Sequence, residues 1–276
     1  MPKRILTALG LAVIGLPAII YGGVFYFIVI TVLLVGGAWE YVRLYRTVQF
    51  EPNQLVTIGS VLVIVTARFF FADFAIALFV LAVLLAMAVH LVAFEGGRNQ
   101  AGLDFTITVA GITYLGWVGS YLLDLRFVFN EQAGLWWWFI VLPIVWAADT
   151  GGYSIGSAYG KHKMTPRLSP KKSWEGYFAG MFTSILVGAF FAYAFASLGP
   201  KPLEGLIDPL QGGLLGLFIG AVAPLGDLGE SMLKRQSGLK DSSNIFPGHG
   251  GFLDRIDSWI WGAAIGYFVI QFLILS

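Results

Sequence analysis

The segment from Ser231 to Asp257 holds most of the side chains in this chain that could do chemistry on phosphates. It lies between two hydrophobic stretches and reads SMLKRQSGLKDSSNIFPGHGGFLDRID. Glycines let backbone amides approach a phosphate closely, Lys and Arg neutralise phosphate charge, and carboxylates bind hard divalent cations. Together these residue types indicate metal-assisted transfer of a phosphoryl or nucleotidyl group at a membrane surface.

Asp227 is a carboxylate inside the hydrophobic stretch that precedes this segment. A helix rises about 1.5 Å per residue, so Asp227 lies roughly 10 Å along the helix from Lys234 and below the membrane surface. A carboxylate at that depth is costly unless it is paired or binds an ion, which favours a functional role. Ser231 shares its helical face and Glu230 is close to it. The alternative is an intramembrane ion pair between Asp227 and a lysine.

Asp254 and Asp257 are a second pair of carboxylates, at the start of the last hydrophobic stretch. Their spacing places both on one face of a helix, with Arg255 turned aside. Acidic residues near a helix N-terminus can simply complement the helix dipole. The preceding Gly250 and Gly251 favour a ligand-binding approach, because a simple helix cap does not need two glycines.

A second polar segment, residues 149–176, is rich in Lys and Arg and reads DTGGYSIGSAYGKHKMTPRLSPKKSWEG. A basic loop beside a membrane is often attracted to anionic lipid headgroups rather than to a substrate. The four-residue spacing of Gly152, Gly156 and Gly160 fits close packing between helices. Substrate binding, lipid attraction and helix packing all remain open for this segment.

The elements that position these residues must lie in a membrane. Of the 276 residues, 57% are hydrophobic and 12% are charged, whereas a soluble domain is about a quarter charged. The absence of cysteine excludes disulfides, thiolate catalysis and cysteine zinc sites. The three histidines are too scattered for a metal cluster, and a net charge of +1 indicates no nucleic-acid partner.

Nine segments are apolar over about the 20 residues that a membrane-crossing helix needs. They are 5–22, 24–45, 54–71, 73–94, 104–123, 134–149, 174–198, 210–234 and 256–275. They predict an all-α polytopic membrane protein with about nine transmembrane helices. A cytoplasmic N-terminus would place all but three of the 17 Lys and Arg residues on the cytoplasmic side.

This topology divides the chain into two parts. Residues 1–140 would be a scaffold of transmembrane helices that could carry dimer contacts. Residues 141–276 would be the catalytic helices, with the loops 150–173 and 235–255 on the cytoplasmic side, where nucleotides are.

The segment from Ser231 to Asp257 resembles the signature of phosphatidate cytidylyltransferases (CDP-diacylglycerol synthases), with every fixed position filled. The matching positions are Ser231, Lys234-Arg235, Lys240-Asp241, Ser243, Phe246-Pro247, His249-Gly250-Gly251, Asp254-Arg255 and Asp257. The segment 149–176 also looks like that family, with Ser157 and Ser173 as minor departures. The first 140 residues match only as generic hydrophobic spans.

The resemblance implies that CTP and phosphatidate react to give CDP-diacylglycerol and pyrophosphate, a step of phospholipid biosynthesis. It also implies an all-helical, dimeric enzyme of the cell membrane that requires Mg²⁺, with K⁺ as a companion ion at the metal site. Its active site would face the cytoplasm. The phosphate of phosphatidate is already an anionic nucleophile at neutral pH, so catalysis needs positioning and charge neutralisation rather than a general base.

Residue types, spacing and resemblance together assign the candidate site. The catalytic residues would be Asp227, Lys234, Arg235, Asp254 and Asp257. The metal ligands among them would be Asp227, Asp254 and Asp257. The substrates would contact Asp149, Lys161, Ser169, Lys171, Lys172, Ser231, Lys240, Asp241, His249, Gly250, Gly251 and Arg255.

Two other functions fit part of the pattern. Another CTP-using lipid enzyme, such as a polyprenol kinase or a CDP-archaeol-type synthase, would share the chemistry. A transporter would also place charges inside the membrane, but it should show paired broken helices in two related halves. The polar residues of this chain cluster in the C-terminal half, which favours an enzyme.

Overall fold

A computed structural model describes residues 2–127, 129, 131–198, 206–239, 241–243, 245–246, 248 and 250–275. Two predicted substrate-binding residues, Lys240 and His249, lie outside the described residues. Within the described ranges the chain is helical except for one short β-hairpin and the connecting turns.

The helices and strands follow one another along the chain with short connections. The first helices are α1 Pro2–Tyr21, α2 Gly23–Arg46, α3 Gln54–Phe70, α4 Ala75–Glu95, α5 Ala101–Gly111 and α6 Tyr121–Phe127. The later elements are α7 Glu131–Tyr159, β1 Lys163–Thr165, β2 Ser169–Ser173, α8 Trp174–Leu198, α9 Pro209–Gln236 and α10 Leu253–Val269. A 3₁₀ turn at Ala72–Phe74 precedes α4, and π-helical turns occupy Ile112–Val118 and Ile270–Ile274.

Within the described residues, seven helices are long and apolar enough to cross a membrane. They are Gly23–Arg46, Ala72–Glu95, Ala101–Phe127, Ala133–Tyr159, Trp174–Ser197, Pro209–Gln236 and Leu253–Ile274. The first and third predicted spans correspond to two shorter apolar helices, Leu9–Tyr21 and Gln54–Phe70. The chain is therefore a predominantly helical, polytopic membrane protein.

Helix α7 is longer than its apolar sequence predicted. The predicted span was 134–149, but the helix continues to Tyr159 and includes the first part of the predicted loop 150–173. A Cβ at Gly152 or Gly156 would touch the backbone of Gly176 on α8, so these glycines let the two helices approach closely. The packing interpretation of the glycine spacing is confirmed, and this contact explains why a polar, glycine-rich segment stays helical.

The rest of the predicted loop forms the hairpin, which departs from the all-helical expectation. Strands β1 and β2 are antiparallel, with Lys163 opposite Ser173 and Thr165 opposite Ser169. The backbone N–H of Trp174 donates to the carbonyl of His162 at 2.9 Å, which closes the hairpin at the start of α8. The basic residues of β2 are therefore held by backbone pairing rather than by a flexible loop.

The chain packs as two compact units, and the first consists of Met1–Asp124 with Leu233–Ile256. Its interior includes the fully buried residues Ile64, Ala86 and Ile112. Two polar contacts fasten its ends, an ion pair between Arg68 and Asp124 and another between Arg98 Nε and Asp104 Oδ2 at 2.8 Å. The hydrogen bond to Asp104 raises the pKa of the Arg98 guanidinium above its ordinary value.

The second unit consists of Leu125–Met232 with Asp257–Ser276. Helices α7 and α8 form its most extensive helix pair, and small residues line their contact. Ser184 Oγ of α8 donates to the carbonyl of Ile144 at 3.1 Å, and a Cβ at Gly216 of α9 would overlap the backbone of Ser184. Small residues thus allow α8 to pack closely against both α7 and α9, as is usual where helices meet in a membrane.

Candidate active site

Three carboxylates lie together in the second unit. Asp227 and Glu230 on α9 and Asp257 on α10 each have a carboxylate oxygen within 4.8 Å of the other two. Their convergence follows from a close helix contact, because a Cβ at Gly226 would overlap the backbone carbonyl of Asp257. Glu230 is buried, and the other two are half-buried. We call Asp227, Glu230 and Asp257 the acidic cluster.

The acidic cluster fits a hard divalent cation. Such cations prefer carboxylate oxygens, and Mg²⁺ binds them at about 2.0–2.1 Å, so that opposite ligand oxygens lie roughly 4 Å apart. The spacing of at most 4.8 Å between the oxygens of the cluster is close to that requirement. Like charges at this separation repel one another unless a cation or a proton compensates them. The cluster therefore has both the donor chemistry and the electrostatic need for a cation.

Lys172 supplies one positive charge beside the cluster. Its Nζ lies 2.5 Å from Asp227 Oδ2 and 3.4 Å from the carbonyl oxygen of Pro224. Asp149 of α7 is near enough for the charges of Lys172 and Asp227 to act on it. The ion pair considered as an alternative for Asp227 is thus present, and it is part of a larger group of charged side chains.

Pro224 helps to place Lys172 at this position. Proline has no backbone N–H and cannot complete the hydrogen-bonding pattern of a helix, so carbonyls near it are available to other donors. Tyr177 Oη donates to the carbonyl of Ala221 at 2.8 Å, and Lys172 donates to that of Pro224. These two contacts fix the end of β2 and the start of α8 against the turn of α9 that precedes Asp227.

Lys234 and Asp254 form a separate ion pair in the first unit. Lys234 Nζ lies 2.7 Å from Asp254 Oδ1, and both side chains are 11% exposed. The other oxygen, Oδ2, accepts hydrogen bonds from Gly251 N at 2.9 Å and from Ser242 N and Oγ at 3.2 and 2.5 Å. The structure therefore surrounds Asp254 with protein donors, and its predicted role as a metal ligand stays a prediction.

The two glycines before α10 are needed for packing against carboxylates. Gly250 has a φ of 76°, and a Cβ there would overlap the Asp254 carboxylate. A Cβ at Gly251 would overlap the carboxylate of Glu40 and the hydroxyl of Ser242. The N–H of Gly251 is donated to Asp254 within the protein. These contacts give the glycines a structural reason that the sequence did not reveal.

The remaining predicted site residues differ in exposure. The exposed ones are Asp149, Lys161, Lys171, Arg235 and Asp241. The half-buried ones are Ser169, Ser231 and Arg255. Among the described residues, the buried Nε of Arg255 has no hydrogen-bond acceptor. Exposed cations of this kind are free to meet an anionic substrate, whereas Lys172 and Lys234 are already held by carboxylates.

Two groups of residues were missed from the sequence. Glu230 was placed near the face of Asp227 without a role, although its three-residue spacing is the signal that joins it to the acidic cluster. Glu40 was not considered, yet it is fully buried in α2 and accepts hydrogen bonds from Ser242 and Ser243. Its position inside an apolar span is the same signal that singled out Asp227.

Comparison with known proteins places the chain in a family. Residues 2–273 match the Cytidylyltransferase family. A phosphatidate cytidylyltransferase of Pseudomonas aeruginosa is 38% identical over 268 residues, which cover 94% of this chain and 92% of the relative. A phosphatidate cytidylyltransferase of Bacillus subtilis is 32% identical over 283 residues, covering 98% and 97%. The chain therefore belongs to the Cytidylyltransferase family and is a nucleotidyltransferase enzyme.

Proposed function

We propose that this protein transfers CMP from CTP to phosphatidate, giving CDP-diacylglycerol and pyrophosphate, in a reaction that depends on Mg²⁺. The observation that carries the proposal is the acidic cluster beside Lys172 in a chain of this family. The substrates are those in the names of the relatives that align with nearly the whole chain.

The reaction needs charge neutralisation more than proton transfer. An oxygen of the phosphatidate phosphate attacks the α-phosphorus of CTP, and the bond from that phosphorus to the bridging oxygen of the β-phosphate breaks. Pyrophosphate takes the electron pair and leaves. Because the attacking phosphate is already anionic, no side chain has to remove a proton. Negative charge on the transferring phosphate and on the leaving group must instead be balanced by fixed positive groups.

The acidic cluster would hold the divalent cation through the carboxylates of Asp227, Glu230 and Asp257. When bound, Mg²⁺ neutralises charge on the phosphates of CTP and favours departure of pyrophosphate. K⁺ is a further candidate for this group of carboxylates. Lys172 offsets part of the negative charge of the cluster and is placed to contact a phosphate that approaches Asp227.

The first unit would contribute fixed cations. Asp254 holds the Nζ of Lys234 at one position, so the lysine loses little freedom when it meets a phosphate. Arg235 is exposed on the next position of α9, and Arg255 is half-buried on α10. We assign these three cations to the phosphates of CTP or phosphatidate. Further substrate contacts are assigned to Asp149, Lys161, Ser169, Lys171, Ser231, Lys240, Asp241, His249, Gly250 and Gly251.

The topology proposed for the enzyme has nine membrane spans and a cytoplasmic N-terminus. Adding the two shorter apolar helices to the seven longer ones gives this number. The orientation is supported by the concentration of Lys and Arg in segments that would then face the cytoplasm. In this arrangement CTP reaches the site from the cytoplasm and phosphatidate from the bilayer. The enzyme would act in the cell membrane as a homodimer, with residues 1–140 as its scaffold.

The function is tested by following two labels of CTP into lipid. The purified protein in neutral detergent is incubated with Mg²⁺, phosphatidate and CTP labelled at either the α- or the γ-phosphate. We expect the α-label in a CDP-lipid and the γ-label in pyrophosphate. A polyprenol kinase would instead transfer the γ-label to lipid, and a transporter would label no lipid. Replacing phosphatidate with its ether-linked archaeal counterpart tests the CDP-archaeol alternative, which predicts preference for the ether lipid.

A further inference from the structure

Glu40 is a buried carboxylate in a helix for which the proposed reaction has no role. It lies near the end of α2, and its side chain is fully buried. Burying an ionised carboxylate in an apolar span is costly unless hydrogen bonds compensate it. The contacts of Glu40 therefore show what the residue does.

Every partner of Glu40 belongs to the first unit and lies in the segment 242–253. Its Oε1 accepts hydrogen bonds from Ser243 Oγ and, at 3.0 Å, from Phe252 N. Its Oε2 accepts from Ser242 Oγ and Leu253 N, both at 2.9 Å. One carboxylate thus fastens both ends of the turn that leads into α10.

These bonds connect Glu40 to the ion pair of Lys234 and Asp254. Ser242 Oγ lies 2.9 Å from Glu40 Oε2 and 2.5 Å from Asp254 Oδ2. A hydroxyl has one hydrogen, so Ser242 donates to one carboxylate at a time and stays between the two. The N–H groups of Phe252 and Leu253 at the start of α10 are also held by Glu40, which orients the first turn that carries Asp254.

We infer that Glu40 is a positioning residue, which reaches from α2 to hold the segment 242–253 and so sets the geometry of Asp254 and Lys234. Its effect on turnover rests on the proposed function, whereas its effect on the segment does not. The inference gives the N-terminal part of the chain a specific task in the candidate site, beyond that of a scaffold.

The substitution Glu40→Gln tests the inference without changing the size of the side chain. Each oxygen of Glu40 accepts a backbone N–H, from Phe252 on one side and from Leu253 on the other. A glutamine has only one oxygen, so in either orientation its NH₂ group faces one of these N–H donors. The variant must therefore lose at least one of the two backbone bonds.

The first measurement is amide hydrogen exchange in detergent, which does not depend on activity. We expect exchange in peptides covering 241–254 to be roughly 10-fold faster in Glu40→Gln, as is typical when a hydrogen bond to a charged group is lost. Peptides covering α4 should be unchanged. Asp104→Asn is the matched control, because it removes a different buried carboxylate of the same unit that holds Arg98 and the backbone of Glu51. It should leave peptides 241–254 at the wild-type rate.

The second measurement is the rate of CMP transfer per folded enzyme. A displaced Lys234 and Asp254 should lower kcat roughly 10-fold and change KM for either substrate much less. The double variant with Ser243→Ala should lose less than the product of the two single effects, because both changes act on one contact. A merely structural role would reduce the amount of folded protein and leave kcat unchanged.

The outcomes separate this inference from the proposed function. If the wild-type protein makes no CDP-lipid, the proposed function fails, while the exchange measurement still tests the role of Glu40. If it is active and Glu40→Gln keeps wild-type kcat and wild-type exchange at 241–254, the positioning role is overturned. Faster exchange throughout the first unit would overturn it as well. Should Glu40→Gln not fold, Ser243→Ala removes a single donor to the same carboxylate and is measured in the same two ways.

Discussion

Lys172 Nζ lies 2.5 Å from Asp227 Oδ2, so a cation from the hairpin is paired with a carboxylate of a membrane-spanning helix. The residue before it, Lys171, is exposed on the same strand. Successive side chains of a strand point to opposite faces, which explains why two neighbouring lysines have such different surroundings. The pairing separates two residues that the sequence assigned to one role.

Lys172→Ala should therefore impair turnover more than Lys171→Ala. Removing Lys172 leaves the acidic cluster without its nearest protein cation, and we expect kcat to fall roughly 10-fold, the size typical of losing a charged hydrogen bond. Lys171→Ala should act mainly on KM for phosphatidate. Kinetics in neutral detergent separate this from simple attraction to anionic lipid, because that alternative predicts an unchanged KM in the double variant.

Asp227→Asn should abolish CMP transfer while leaving the protein folded. The substitution keeps the shape of the side chain but removes the charge that a cation and Lys172 both need. We expect the rate to fall at least roughly 100-fold, as when a charge-stabilising group is removed from an active site. Asp73→Asn changes an exposed aspartate away from the acidic cluster and is the matched control. Near-wild-type activity of Asp227→Asn would contradict the assignment.

Glu230→Gln and Asp254→Asn together decide which carboxylates bind Mg²⁺. Glu230 belongs to the acidic cluster, so its loss should raise the Mg²⁺ concentration for half-maximal rate by roughly 10-fold or more. Asp254 is held by Lys234 and Ser242, so Asp254→Asn should lower kcat with a smaller change in Mg²⁺ dependence. The reverse pattern would support the ligand set predicted from the sequence, with Asp254 in place of Glu230.

Asp257→Ala tests the third member of the cluster against a helix-capping role. A metal ligand should change the Mg²⁺ dependence of the rate, whereas an acidic residue that only complements the helix dipole should change thermal stability alone. We expect a change in Mg²⁺ dependence, because the carboxylates of Asp227 and Glu230 lie within 4.8 Å. A rate titration with Mg²⁺ and a thermal melt of the same preparation give the answer.

Gly251→Ala should destabilise the first unit. The added methyl group would overlap Glu40 and Ser242, and such overpacking typically costs about 1–3 kcal/mol. Gly229→Ala is the control, since its Cβ would meet nothing within 4 Å and alanine favours a helix over glycine. Thermal unfolding in detergent should show a lower midpoint for Gly251→Ala and an equal or higher one for Gly229→Ala. Equal midpoints for Gly251→Ala and the wild type would show that the turn can relax.

The positions of most helices could be predicted from hydrophobic length alone. The predicted span 174–198 coincides with α8, and 210–234 lies within α9. In a membrane the backbone must satisfy its own hydrogen bonds, so an apolar segment of sufficient length has almost no alternative to a helix. Helix α7 went beyond its prediction because its last turns depend on contacts with Gly176, which no local pattern reveals.

The same distinction applies to the candidate site. The residues that could bind phosphates and cations were visible in the sequence, because charged side chains in an apolar chain are rare and their spacing along a helix is regular. Which of them meet was decided by the tertiary structure. Spacing joined Asp254 to Asp257, but in the fold Lys234 and Ser242 hold Asp254, while Glu230 lies beside Asp257. Glu40 and Ser242 are 202 positions apart, and only the packing of α2 against the start of α10 brings them into contact.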